Sequence, residues 1–279
     1  MFSLTLGSRS KKNLHLFNRT GKFGRQILCL LSALCLAPPV QAARVLTLSP
    51  HSTELVFAAG AGDQIVATVQ SSDYPPQARN LPRIGDGIST SLEQVMHWKP
   101  DLVVGWPSML MERLKNLGIP VFVSEPQTLT DIPDEIETLG EQLNTTVYAQ
   151  QSAQQLRQEI AALTAADTLT KPVGLILMAS LDNTYVIGRD PILNEGIARC
   201  GGVNLFADSP MAAPRVNLES IISVGPSLIV TGHAPDHSLQ SLAPVLVLDP
   251  DHLFRPGPRL IEALKDLCAG IAQQSRAPF

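Results

Sequence analysis

The chain has 279 residues, 44% of them hydrophobic and 16% charged, with a formal net charge of -4 at pH 7. Its first 43 residues hold six Lys/Arg and no Asp/Glu, so the rest carries a formal charge of -10, which argues against nucleic acid and anionic lipid as partners. The 236 residues that follow suffice for one large domain or two small lobes with real cores.

The opening 43 residues read as a signal peptide. Arg9, Lys11, Lys12, Arg19, Lys22 and Arg25 form a basic leader, 27–37 is an apolar run, and Val40-Gln41-Ala42-Ala43 offers a small-residue cleavage site. The run is too short for an ordinary membrane span of about 20 residues. Cys35 follows Leu34 where a lipoprotein would carry a small residue. The expected location is therefore the periplasm, after cleavage. Cys29 and Cys35 leave with the leader, and Cys200 and Cys268 remain. An even count in an oxidising compartment favours a disulfide, closing a loop of roughly 70 residues and constraining the unfolded chain by roughly 4 kcal/mol.

In chain order, 44–48 is a short apolar strand, Ser49-Pro50-His51 breaks it, and a helix runs over 53–59 to Gly60 and Gly62. Residues 65–69 form a second strand, 71–76 a turn-rich loop, 92–98 a helix, 102–106 a buried strand, 109–117 a helix and 121–124 a strand. A helix over 132–143 leads into the longest one, 146–166, where Ala149, Ala153, Leu156, Ile160 and Leu163 recur at helical spacing. With no Pro or Gly it predicts a stiff strut of roughly 30 Å. Past Lys171-Pro172 come strands at 173–178 and 185–187, a helix at 192–200, a helix at 218–224, strands at 228–231 and 245–248, and a closing helix at 259–272. Strand and helix alternate throughout, which implies parallel strands with right-handed helical crossovers. The expected organisation is a signal peptide (1–43), an α/β lobe (44–130), linking helices (131–170) and a second α/β lobe (171–279).

An internal repeat supports the duplication. Residues 91–104 align without gaps on 217–230 at an offset of 126, matching Leu92, Glu93, Pro100, Leu102 and Val104 with Leu218, Glu219, Pro226, Leu228 and Val230. Glu93 and Glu219 each follow a natural N-cap, Ser91 or Asn217, where a carboxylate suits the helix dipole. As equivalent charges on two lobes they also form a two-point acidic face for a partner with matching basic sites. The sequence leaves both readings open.

Ligands in open parallel sheets sit beyond the carboxyl ends of the strands. The segments there are 49–52, 71–74, 106–108 and Glu125 in the first lobe, and 233–236 and 251–255 in the second. His51, His233 and His252, with Asp251 or Glu125, are the candidates for a metal site, although no HxH or HxxxH spacing supports one. No GxSxG elbow, phosphate loop, dinucleotide fingerprint or HExxH helix is present, so an enzyme is not expected.

Several of these stretches carry a resemblance. Leu48-Ser-Pro-His-Ser-Thr-Glu-Leu-Val-Phe-Ala-Ala-Gly60, Ser72-Asp-Tyr-Pro-Pro-Gln-Ala78, the two Leu-Glu helices, Val121-Phe-Val-Ser-Glu-Pro126 and Cys200-Gly-Gly-Val-Asn-Leu-Phe206 together resemble the periplasmic vitamin B12-binding proteins of bacterial ABC importers. These belong to the wider helix-linked group of cobalamin, haem and siderophore binders. The resemblance implies two α/β lobes with central parallel sheets joined by one rigid helix, with a corrinoid held between them and no chemistry of the protein's own. It implies delivery to an inner-membrane ABC permease and its ATPase by a monomer, with Glu93 and Glu219 as docking carboxylates and Cys200–Cys268 as a disulfide. The ligand loop before the last helix matches Asp251, His252, Leu253, Phe254 and Arg255. In the best-known cobalamin binder, aromatic side chains line the cleft at positions matching Ser71, Gly87 and Ala213. Here Tyr74, Trp106, Tyr185 and Phe254 are the expected substitutes. Haem, a ferric siderophore or a metal ion are the alternative ligands.

Overall fold

A computed structural model describes residues 42–165, 169, 171–180, 185–234 and 237–274. Apart from Ala42 and Ala43, the leader lies outside the described residues, as do Ala166 and the 235–236 part of one candidate segment.

The first sheet contains β1 (Val45–Thr47), β2 (Ile65–Ala67), β3 (Leu102–Gly105) and β4 (Val121–Val123), all parallel, in the order β2-β1-β3-β4. From β1 the chain passes to one side and then crosses to the other, so the switch point lies at the carboxyl ends of β1 and β3. The connecting helices are α1 (Pro50–Ala58), α2 (Leu92–His97) and α3 (Met109–Asn116). The first of these begins three residues earlier than the sequence indicates. Pro50 occupies the first turn, where its missing N–H costs nothing, and the Ser49 hydroxyl accepts from the Ser52 amide at 3.3 Å. His51 and Ser52 are thereby drawn into the helix and buried.

Two antiparallel helices follow, α4 (Asp131–Gln142) and α5 (Thr146–Ala161). They meet so closely that a Cβ at Gly140 would collide with the Ala149 side chain. Ala149, Ala153, Leu156, Ile160 and Leu163 are all buried, as their spacing predicts. The strut is shorter than expected, 16 residues or about 24 Å. After Ile160 and Leu163 the apolar period would require residues 164 and 167, which are Thr and Asp. Instead the Leu163 amide turns back to the Ile160 carbonyl at 3.1 Å, and Ala165 packs toward Gly201.

The second sheet is built from β5 (Val173–Ser180), β6 (Tyr185–Val186), β7 (Gly202–Asn204), β8 (Leu228–Thr231) and β9 (Val245–Val247). Its order is β6-β5-β8-β9, with β7 also pairing β5, and its parallel pairs β7-β5-β8-β9 repeat the order of the first sheet, with α6 (Pro191–Arg199), α7 (Leu218–Val224) and α8 (His237–Gln240) between strands. One expectation fails. Tyr185–Val186 runs antiparallel to β5, because the connection from Ser180 is far too short for a helical crossover. β7 was not legible as a strand, since Gly-Gly reads as a turn. Gly202 is needed because a side chain there would meet Ile197, Leu175 and Ile271. The 251–255 segment also differs from the expected loop: Pro250–Leu253 forms a helical turn, α9, capped by the Asp249 carboxylate on the Asp251 amide at 2.8 Å. The last helix is α10 (Pro258–Gln274).

The repeat holds in three dimensions. Val95 and Ile221 face the core, Ser91 and Asn217 cap their helices, and Lys99 and Gly225, aligned in the repeat, both take left-handed backbone (φ 46° and 59°). One buried apolar cluster runs from Val45 through Leu139 and Ala153 to Leu175 and Ile271, so a single core continues under both sheets. Cys200, at the end of α6, is bonded to Cys268 of α10, with Cα atoms 4.5 Å apart.

Candidate functional site

The loop after β2 is tied down by hydroxyls. Thr47 Oγ1 donates to Thr68 Oγ1 at 2.8 Å and Thr68 Oγ1 donates to Ser72 Oγ at 2.7 Å, while Thr53 Oγ1 lies 2.9 Å from Ser72 Oγ. All four side chains are buried, so each hydroxyl must find its partner inside the cluster. The Arg83 guanidinium adds bonds to the Val69 and Ser72 carbonyls at 2.9 and 2.8 Å. With Ser72 held inward, Ser71 and Tyr74 are left exposed beside it.

This loop meets the segment before α10. Arg255 donates to Asp73 at 2.7 Å and to Asp251 at 2.6 Å. Arg259 donates through Nε to Glu54 Oε2 at 3.0 Å and through Nη2 to Oε1, and its guanidinium lies 4.3 Å from the centre of the Tyr74 ring. Glu54 and Arg259 are 2% and 7% exposed at their side chains, a buried pair joining the first helix to the last. Burial pushes the Glu54 carboxyl up, against the pull of Arg259 and Arg255. Burial raises Asp73 as well, but the hydrogen bond and charge of Arg255 hold its carboxyl below the usual carboxylate range.

The second cluster lies behind Trp106. The His51 ring sits with its centroid 4.0 Å from that of Trp106, tilted by 44°. Ser124 Oγ donates to Glu135 Oε2 at 2.6 Å, so the imidazole donates from Nε2 to Ser124 Oγ at 3.1 Å and accepts at Nδ1 from Ser49 Oγ at 2.9 Å. Burial lowers the His51 pKa to about 3 and raises that of Glu135, a rise opposed by the Ser124 bond. The imidazole is therefore neutral at physiological pH.

The candidates of the sequence fall into distinct places. Tyr74, Asp251 and Arg255 converge on one charged junction, and Trp106 stands, 41% exposed, at the carboxyl end of β3. Tyr185 is half-buried at the carboxyl end of β5, beside Arg215. Leu253 is 1% exposed and part of the core, because the α9 turn points it inward. Phe254 also packs in part against the core. At Gly87 a Cβ would lie 2.5 Å from the Leu48 carbonyl oxygen and φ is +86°, so this backbone cannot carry an aromatic side chain there. The histidines do not gather. Both His51 nitrogens are taken, His252 lies 3.8 Å from Asp249 and from Glu262, and the described residues contain no group of three or more His, Cys, Asp or Glu able to hold a metal. Glu93 and Glu219 are exposed on the first turns of α2 and α7, next to exposed Met96 and Ile222. An open pocket of about 450 Å³ lined by Ile84, Glu93, His97 and Trp98 lies beside Glu93.

Glu54, Arg259, Ser124 and Glu135 escaped the sequence reading. The available signal was Glu54, the one carboxylate inside the short helix α1, which once buried must be paired; Arg259 shares α10 with Glu262, Lys265 and Asp266 and gives no such signal. A separation of 205 residues hides the pairing itself.

Comparison with known proteins agrees with this architecture. A sequence profile described as "Periplasmic binding protein" matches residues 45–242. A vitamin B12-binding protein of Photorhabdus laumondii is 33% identical over 261 residues, covering 89% of this chain and 95% of its own. The crystal structure of the periplasmic vitamin B12-binding protein of Vibrio cholerae superposes with a TM-score of 0.75 at 30% identity, covering 85% of this chain and 99% of that one. A periplasmic haem-binding protein from Roseiflexus reaches a TM-score of 0.69 at 24% identity, covering 84% and 100%, which is a likeness of fold alone.

Proposed function

Because the chain belongs to the periplasmic binding protein family, we propose that it captures a corrinoid, vitamin B12 first among them, between two lobes and delivers it to an ABC importer. Export by a cleaved leader, monomeric action and the lobe boundaries at 44–130, 131–170 and 171–279 belong to the same reading. Recognition is by shape and apolar contact, with Trp106 as the flat surface and Ser71, Tyr74, Tyr185, Asp251 and Arg255 around it.

The observation that carries the choice of ligand is the charge at the junction. Arg255 and Arg259 face Glu54, Asp73 and Asp251, so both guanidiniums are already neutralised and one negative charge is left over. A porphyrin with two carboxylates would have to displace those partners, whereas the amide-rich rim of a corrinoid needs only hydrogen bonds. Glu93 and Glu219, exposed at equivalent places of the two halves, suit a permease with two matching basic sites.

Titration of the mature protein with cyanocobalamin, followed by tryptophan quenching with hemin as a parallel, tests this reading. Saturation at one equivalent by cobalamin alone is expected, with transport lost on reversing the charge of Glu93 and Glu219 together. Tight hemin binding without cobalamin binding would discard the ligand and keep the fold.

A further inference from the structure

Trp106 is only partly covered by the fold. It follows the last residue of β3, precedes the Ser108 cap of α3, and leaves 41% of its surface open. An indole in that position can turn about two side-chain bonds, and a flat ligand would have to order it on binding, at a cost in affinity. One ring lies against it: that of His51, with centroids 4.0 Å apart.

That imidazole is almost wholly buried and is anchored at both nitrogens. Nδ1 is bonded to Ser49, which caps the helix carrying His51, and Nε2 is bonded to Ser124 just after β4. Ser124 is fixed in turn by Glu135 of α4. Two regions far apart in sequence thus determine the plane of one ring: the start of α1, and the end of β4 backed by α4. A core histidine needing only satisfaction would not require its face to lie against a half-exposed indole.

We propose that His51 is a positioning residue, holding the Trp106 indole in the orientation that receives the ligand. The inference rests on the reading of Trp106 as a ligand surface, and it concerns how that surface is ordered before the ligand arrives. Pre-ordering removes rotamer freedom that binding would otherwise have to remove, so its loss weakens affinity without removing any contact to the ligand.

The test is a double-mutant cycle of His51→Ala and Trp106→Ala, read by cyanocobalamin affinity, with circular dichroism to verify folding. His51→Ala should weaken binding about tenfold when Trp106 is present and have little effect when it is absent, because the two side chains act as one unit. His51→Phe, which restores a ring without its anchors, should fall between Ala and the wild type. An equal loss in both backgrounds would overturn the proposal, since a merely structural role acts whether or not the indole is there. If Trp106→Ala leaves affinity unchanged, the reading of Trp106 fails as well. A second readout needs no ligand: in Trp98→Phe protein Trp106 is the sole tryptophan. Its fluorescence anisotropy should fall, and its quenching by acrylamide rise, in His51→Ala and in Ser124→Ala. Ser124→Ala leaves the His51 side chain in place should His51→Ala not fold. Unchanged anisotropy in these folded variants would overturn the proposal even if cyanocobalamin were not the ligand.

Discussion

Lys99 holds φ at 46°, in the left-handed region where a Cβ crowds the backbone, and its counterpart in the second half, Gly225, occupies the same conformation without that cost. Substituting Lys99→Gly is expected to stabilise the protein by about 0.5–1 kcal/mol, the relief of strain outweighing the extra freedom of glycine in the unfolded chain. Gly225→Ala should do the opposite by a similar amount, since nothing lies within 4 Å of the added Cβ and only backbone strain is introduced. Urea unfolding midpoints of the two variants check both signs. An unchanged midpoint in Lys99→Gly would mean that the lysine side chain makes up for its backbone. At this scale the duplication was more informative than local propensity. Trp-Lys-Pro by itself points to extended backbone before proline, and only alignment with Gly225 marks the left-handed turn. His51 was legible as a residue at a strand end, but its role depends on Ser124, 73 positions away, and no spacing rule reaches that far.

Among the elements, α1 and α10 are joined by the least visible and most consequential contact. Glu54 and Arg259 are buried together, 2% and 7% exposed at their side chains. Removing Arg259 takes from buried Glu54 its two hydrogen bonds to that guanidinium and leaves it with Arg255 at 3.6 Å. Arg259→Ala is therefore expected to cost about 3–5 kcal/mol, whereas the paired replacement Glu54→Leu with Arg259→Met should cost far less, because two apolar groups ask nothing of the interior. Chemical denaturation of the single and double variants distinguishes the cases. Equal losses would mean that the pair contributes net stability beyond satisfying itself. Periodicity located almost every helix and strand here, including the buried face of α5. What it could not supply was the end of α5, where the Leu163 amide turns back to the Ile160 carbonyl although Leu163 continues the apolar spacing, or the direction of β6, set by the length of a connection.

For the whole molecule the question is how far the two halves move when a ligand enters. Binding proteins hinged on strands close by rotating about flexible crossovers. Here the connection is the α4–α5 hairpin, packed at Gly140 and Ala149 and braced by Arg157 on Asp134 and Glu137 at 2.6 and 2.7 Å. One apolar core continues under both sheets, so rotation would open buried surface, at roughly 25 cal/mol for each Å² exposed. The Glu54–Arg259 and Asp73–Arg255 pairs cross between the segments that a hinge would separate, and the first of them is too deeply buried to be exchanged for water at little cost. Closure is therefore expected to be small. Small-angle scattering of the mature protein, with a radius of gyration near 17–18 Å for a compact chain of this length, should change by under about 1 Å on saturation with ligand. Arg259→Met with Glu54→Leu should leave that value in place if the core and hairpin alone hold the halves, and raise it in the ligand-free state if the ion pairs do. A contraction of several ångströms in the wild type would instead place a hinge within the α4–α5 hairpin and overturn the rigid reading.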